Sequence, residues 1–127
     1  MPTPSAAPDT DQVTVFHNPG CSKSRGALEL LDQRSIDHTV VDYLVTPPSR
    51  ATLEAIIAKL VDPVSDLVRT TDPRFTELGL DPGAYSSPEA VIELLLTHPE
   101  LMERPVVVKA DRAVIARPSA RVAEVLD

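Results

Sequence analysis

A single cysteine, Cys21, stands where turn chemistry gives way to a helix: His17-Asn18-Pro19-Gly20 precede it and Ser22-Lys23-Ser24-Arg25 follow. The first backbone N–H groups of a helix lack intrahelical partners, and the helix dipole concentrates positive charge there. Both favour a thiolate, and a cysteine so placed has its pKa drawn from about 8.5 down into a range of about 3.5–7.5. Lys23 and Arg25 add positive charge. The same N–H groups form a site for anions. One location can therefore hold a nucleophile and an oxyanion together. A lone cysteine is more often an inert buried side chain, but such a residue keeps apolar neighbours, and those of Cys21 are polar or turn-forming.

Ser24 occupies the position where a C-x-x-C motif would have its second thiol, and the chain has no other cysteine. A redox cycle at Cys21 must draw its electrons from a thiol on another molecule. Ser24 either hydrogen-bonds the thiolate or is an ordinary first-turn serine. A phosphatase-type Cys-x5-Arg loop is excluded, because Ala27 stands where the arginine is required. His17 is placed to tune the thiol or to bind substrate, or else is a strand-end histidine satisfied by backbone. His38 reads as surface and His98 as a loop residue. The three histidines have no paired spacing, so no metal centre is expected.

Nine of the twelve basic residues are arginines, and three of these can serve an oxyanion. Arg104 immediately precedes Pro105 and a strand. Arg117 precedes Pro118 at the end of the following strand. Arg69 closes the segment Asp66-Leu67-Val68-Arg69, where it alternatively serves as the terminal cation of a short helix. Guanidinium groups converging on a tetrahedral anion make charge-assisted, bidentate contacts and stabilise charge as a thiolate attacks.

The elements that must position these residues follow from pattern. Val13-Thr14-Val15-Phe16 predicts a strand, and Cys21 to Arg34 a helix with Ala27, Leu28 and Leu31 on one face. Val40, Val41 and Tyr43 predict a second strand, giving a parallel, right-handed βαβ unit. Ser49 caps a helix carrying Leu53, Ile56, Ile57 and Leu60. A short helix is expected from Val64 to about Thr70, and mostly loop from Asp72 to Ser86. Ser87-Pro88 starts a helix with Val91, Leu94 and Leu95 inward. Val106-Val107-Val108 and Ala113-Val114-Ile115-Ala116 form a hairpin about Asp111-Arg112, and Pro118-Ser119 opens a last helix. The order is βαβ, a helical insertion, then ββα. That is the thioredoxin-like arrangement around a four-stranded mixed sheet, and in it the X-Pro bond before the third strand, here Arg104-Pro105, is expected to be cis and to face the cysteine.

Composition bounds the rest. The chain has 127 residues, 43% of them apolar and 24% charged, which suits one domain with a core. Residues 12–127 are expected to form that domain and residues 1–11 a disordered tail; the tail has no signal-peptide pattern. A net charge of −7 and 3% aromatics argue against nucleic-acid partners. No apolar run is long enough to span a membrane, and a single cysteine suits a reducing, cytoplasmic location.

The segment His17-Asn18-Pro19-Gly20-Cys21-Ser22-Lys23-Ser24-Arg25 resembles the H-N-P-x-C-x-x-S-R signature of the glutaredoxin-linked arsenate reductases, the ArsC family. His98-Pro99, Arg104-Pro105-Val106-Val107-Val108 and Arg117-Pro118-Ser119 are similar to later segments of that family, so the resemblance runs from Val13 to Leu126. The Ser22-Lys23 pair, in place of Gly-Thr, resembles a second branch of the family. The resemblance implies that Cys21 attacks arsenate, that glutathione or another low-molecular-weight thiol adds, and that glutaredoxin removes it to release arsenite, with no bound cofactor. It implies that Arg69, Arg104 and Arg117 hold the oxyanion, with His17, Ser24, Arg25 and Pro105 in support. Two alternatives are a general glutathione-linked thiol oxidoreductase and a redox-sensing regulatory module like the Spx proteins. The arginines disfavour the first, since disulfide exchange needs no oxyanion clamp. The lack of C-x-x-C and the presence of Arg117-Pro118 disfavour the second.

Overall fold

A computed structural model describes residues 12–126. The expected tail, residues 1–11, lies outside the described residues. Four strands form one sheet in the order β2-β1-β3-β4: β1 is Val13–His17, β2 His38–Asp42, β3 Val106–Lys109 and β4 Arg112–Ile115. β1 runs parallel to β2, with His17 opposite Asp42, and antiparallel to β3. β3 and β4 are antiparallel. The helix α1, Ser22–Gln33, makes the crossover from β1 to β2.

Strand residues alternate between faces, so the sheet carries a core on each side. Val13, Val15, Val107 and Val114 pack with Ala27 and Leu31 of α1 and with Val122 and Val125 near the C-terminus. Phe16, Val106, Ala113 and Ile115 face the opposite way. They pack beneath the insertion, which comprises α2 (Arg50–Lys59), α3 (Pro73–Glu77) and α4 (Pro88–Thr97). Local capping defines the helix starts. The Ser49 hydroxyl accepts from Thr52 N–H, Asp72 from Arg74 N–H and Ser87 from Ala90 N–H.

Several boundaries differ from expectation. The helix begins at Ser22, with Cys21 as its cap residue. Tyr43 falls just beyond β2, where its buried hydroxyl donates to Met102 O at 3.2 Å. The segment from Val64 is a single 3-10 turn ending at Leu67, not a helix to Thr70. Val68 there bridges to Met102, Arg69 N–H donates to Leu101 O and Glu103 N–H to Leu67 O. The backbone groups a helix would have used are taken by this strand-like pairing. The hairpin turn is Ala110-Asp111, with Ala110 at φ 55°, and Arg112 already belongs to β4. Ser119–Val122 is a 3-10 turn that leads into the short helix α5, Ala123–Leu126. The Arg104–Pro105 bond is cis, as expected, and so is Arg117–Pro118.

Candidate active site

Cys21 lies at the carboxyl end of β1, on a loop tied by its own residues. Cys21 N–H donates to Asn18 O at 3.0 Å, and Gly20 N–H to Asn18 Oδ1 at 2.9 Å. Ser24 is fully buried, and its hydroxyl accepts from Asn18 N–H at 3.3 Å. Ser24 thus fastens the loop with its side chain, while its backbone N–H serves the thiol. Arg25 reaches back to donate to Pro19 O at 2.8 Å. It braces the loop from outside, and its charge is felt by His17.

Burial opposes ionisation of Cys21, but four groups outweigh it: the Ser24 N–H, the Arg104 side chain, the Lys23 N–H and the Arg117 side chain. Together they bring the thiol down to about 7. Arg117 Nη1 is 3.6 Å from Cys21 Sγ and also donates to Arg104 O at 3.0 Å. Ala116 N–H donates to Pro105 O, which holds the two Arg-Pro segments side by side. Arg104 Nε is buried with no hydrogen-bond partner among the described residues.

Arg69 is held differently. Its Nη1 contacts Glu103 Oε1 at 2.6 Å and its Nε contacts Asp72 Oδ2 at 3.2 Å. The antiparallel bridge between residues 68 and 102 puts Arg69 opposite Leu101 and diagonal to Glu103 on the same face, and Glu103 in turn lies 3.8 Å from Arg117 Nε. Arg69, Glu103 and Arg117 line a cleft of about 350 Å³ together with Asp62, Asp66 and Arg121. The structure therefore joins Cys21 to Arg104 and Arg117 directly, and to Arg69 through Glu103.

His17 is buried at the end of β1, and its Nδ1 has no partner among the described residues. Burial lowers its pKa, Asp42 opposes that, and Arg25 adds to the lowering, so the site favours the neutral ring. Among the described residues no three His, Cys, Asp or Glu side chains gather as a metal set. No helix of the described residues is long and apolar enough to cross a membrane.

Two features went unread in the sequence. Glu103 was legible only as the neighbour of Arg104. Gly26 passes so close to the C-terminal segment that a Cβ there would lie 2.6 Å from Ser119 Oγ, and that hydroxyl donates to Lys23 O at 3.0 Å. The start of α1 and the Arg117-Pro118-Ser119 segment are thereby clasped.

The ArsC family model matches residues 16–125. An arsenate reductase of Neisseria meningitidis is 40% identical over 91% of this chain and 98% of its own length. An arsenate reductase of Rhizobium meliloti is 43% identical over 90% of this chain and 81% of its own. The solved structure of an arsenate reductase from Vibrio cholerae superposes with a TM-score of 0.80 at 36% identity, covering 90% of this chain and 97% of that one.

Proposed function

We propose that this chain, which belongs to the ArsC family, reduces arsenate to arsenite using Cys21 as nucleophile and thiols as electron donors. The observation that carries the reading is an acidified thiol flanked by two guanidinium groups. One of these, Arg104, keeps a buried Nε–H without an acceptor. An unpaired buried donor beside a nucleophile suits an anionic oxygen brought by a substrate.

The Cys21 thiolate forms an S–As bond as one arsenate oxygen leaves as water. The helix-start N–H groups, Arg104 and Arg117 hold the remaining oxygens, and Arg69 completes the anion site. With one cysteine in the chain, reduction needs thiols from outside. Glutathione or a similar low-molecular-weight thiol displaces a second oxygen of the adduct as water, and the glutaredoxin thiolate then takes the glutathione sulfur as a mixed disulfide, leaving the S–As electron pair on arsenic. As(V) gains two electrons while two thiols end as a disulfide. Water then cleaves the S–As bond, releasing arsenite and restoring Cys21. The balance is arsenate plus two thiols to arsenite, disulfide and water. Such a cycle runs where thiols are kept reduced, so we assign it to the cytoplasm.

The test is NADPH consumption by the purified chain with arsenate, glutathione, glutaredoxin and glutathione reductase. Consumption that depends on arsenate and vanishes in Cys21→Ser is expected. Arsenate-dependent turnover that persists in Cys21→Ser would overturn the mechanism.

A further inference from the structure

Glu103 stands among the arginines yet has no part in the nucleophilic step. Its Oε1 lies 2.6 Å from Arg69 Nη1, 3.8 Å from Arg117 Nε and 3.1 Å from the backbone nitrogen of Arg104. The side chain is 20% exposed, at the wall of the cleft. Arg69 already has Asp72 as a counter-charge, so neutralising Arg69 does not by itself require Glu103. The guanidinium groups of Arg69 and Arg117 and the backbone N–H of Arg104 nevertheless converge on this one oxygen.

An anion that spans Arg69 and Arg117 must lie against the Glu103 carboxylate. An ionised carboxylate accepts hydrogen bonds and donates none. An anion oxygen without a proton meets repulsion there. An oxygen that carries a proton donates to the carboxylate, and the contact becomes a charge-assisted hydrogen bond. Arsenate and phosphate retain at least one proton near neutral pH, whereas sulfate, of the same shape, retains none.

We propose that Glu103 is a specificity-determining residue that admits protonated tetrahedral oxyanions to the arginine site and turns away fully deprotonated ones. The proposal rests on the oxyanion reading given above and assigns the feature of the substrate that the site reads. Sites built to pair a substrate hydroxyl discriminate strongly against analogues that lack it; with Glu103 partly exposed, a preference of about tenfold is expected.

The single cysteine makes the experiment direct. Alkylation of Cys21 by iodoacetamide in the full chain is followed by intact mass, with inorganic phosphate or sulfate added at matched ionic strength. Phosphate should protect the wild-type thiol at concentrations about tenfold lower than sulfate. In Glu103→Gln, which keeps the shape and offers an amide donor, the two should come within roughly threefold, chiefly because sulfate gains. A merely bracing role would move both anions together and leave their ratio alone. Equal protection by the two anions in the wild type would overturn the proposal, and that comparison needs no variant. So would an unchanged ratio in Glu103→Gln shown to be folded by circular dichroism. If neither anion protects a thiol that titrates normally, the oxyanion reading itself fails and the assignment to Glu103 falls with it.

Discussion

At the scale of single residues, the Cys21 thiol settles at about 7 because hydrogen bonds from Ser24, Arg104, Lys23 and Arg117 outweigh the cost of burying its charge. The charged form is therefore present at neutral pH, and it grows as pH rises through that value. The rate of iodoacetamide alkylation should climb with a midpoint near 7, well below the ordinary thiol value of about 8.5. Arg117→Ala removes a cation 3.6 Å from the sulfur and should move the midpoint upward by roughly one unit. Arg25→Ala is the informative contrast. Its guanidinium is spent on Pro19 O, so the midpoint should move far less. Equal shifts in the two variants would mean that net charge near the loop, and not contact with sulfur, sets the thiol.

At the scale of elements, the C-terminal segment docks against the first turns of α1, the helix that presents the thiol. Gly26 allows that approach, and the Ser119 hydroxyl closes it on Lys23 O. Alanine improves helix propensity over glycine by about 1 kcal/mol, but overpacking a close contact costs about 1–3 kcal/mol. Gly26→Ala should therefore lower stability, read as a reduced Tm. Adding Ser119→Gly removes the offending atoms and should recover most of the loss. A Gly26→Ala chain more stable than the wild type would show that the clasp is not tight.

The same scale explains what the sequence could reveal. Cys21 was legible because a turn, a cysteine and a helix start are neighbours in the chain, and each has a local signature. Arg104 and Arg117 were legible because each stands beside a proline at a strand end. Arg69 was named as a candidate anion ligand, but the short helix expected to carry it is a single 3-10 turn followed by strand-like pairing. Helix propensity over Val64 to Thr70 loses to pairing with Leu101 to Glu103. That pairing depends on residues more than thirty positions away, as the Arg69–Glu103 contact itself records with a separation of 34. The Gly26–Ser119 clasp was invisible for the same reason.

At the scale of the whole molecule, one sheet serves two cores. Leu31 is fully buried on the α1 side and Leu95 nearly so beneath the insertion. Truncating either to alanine should cost about 2–5 kcal/mol. Because both cores share the strands, each variant should still unfold in one cooperative transition with an unchanged denaturant slope. Two separated transitions in Leu95→Ala would show that the insertion unfolds on its own. The molecule is acidic overall, with a net charge of −7, yet it gathers Arg69, Arg104, Arg117 and Arg121 around one end of the sheet. These guanidinium groups are interleaved with Asp62, Asp72, Glu103 and Glu124, which pair with Arg69 and Arg121, so the cleft offers directed N–H donors and not a basic patch.

The contact between Arg117 and Cys21 joins residues 96 positions apart. During synthesis the cysteine emerges from the ribosome with the first strand, long before either flanking arginine has been made. Until the last hairpin pairs with β1, the nascent chain carries a thiol without its two guanidinium partners. At that stage the sulfur has at most the local Ser24 and Lys23 N–H groups to favour its charge, and only the finished fold adds the two guanidinium groups that complete its acidification.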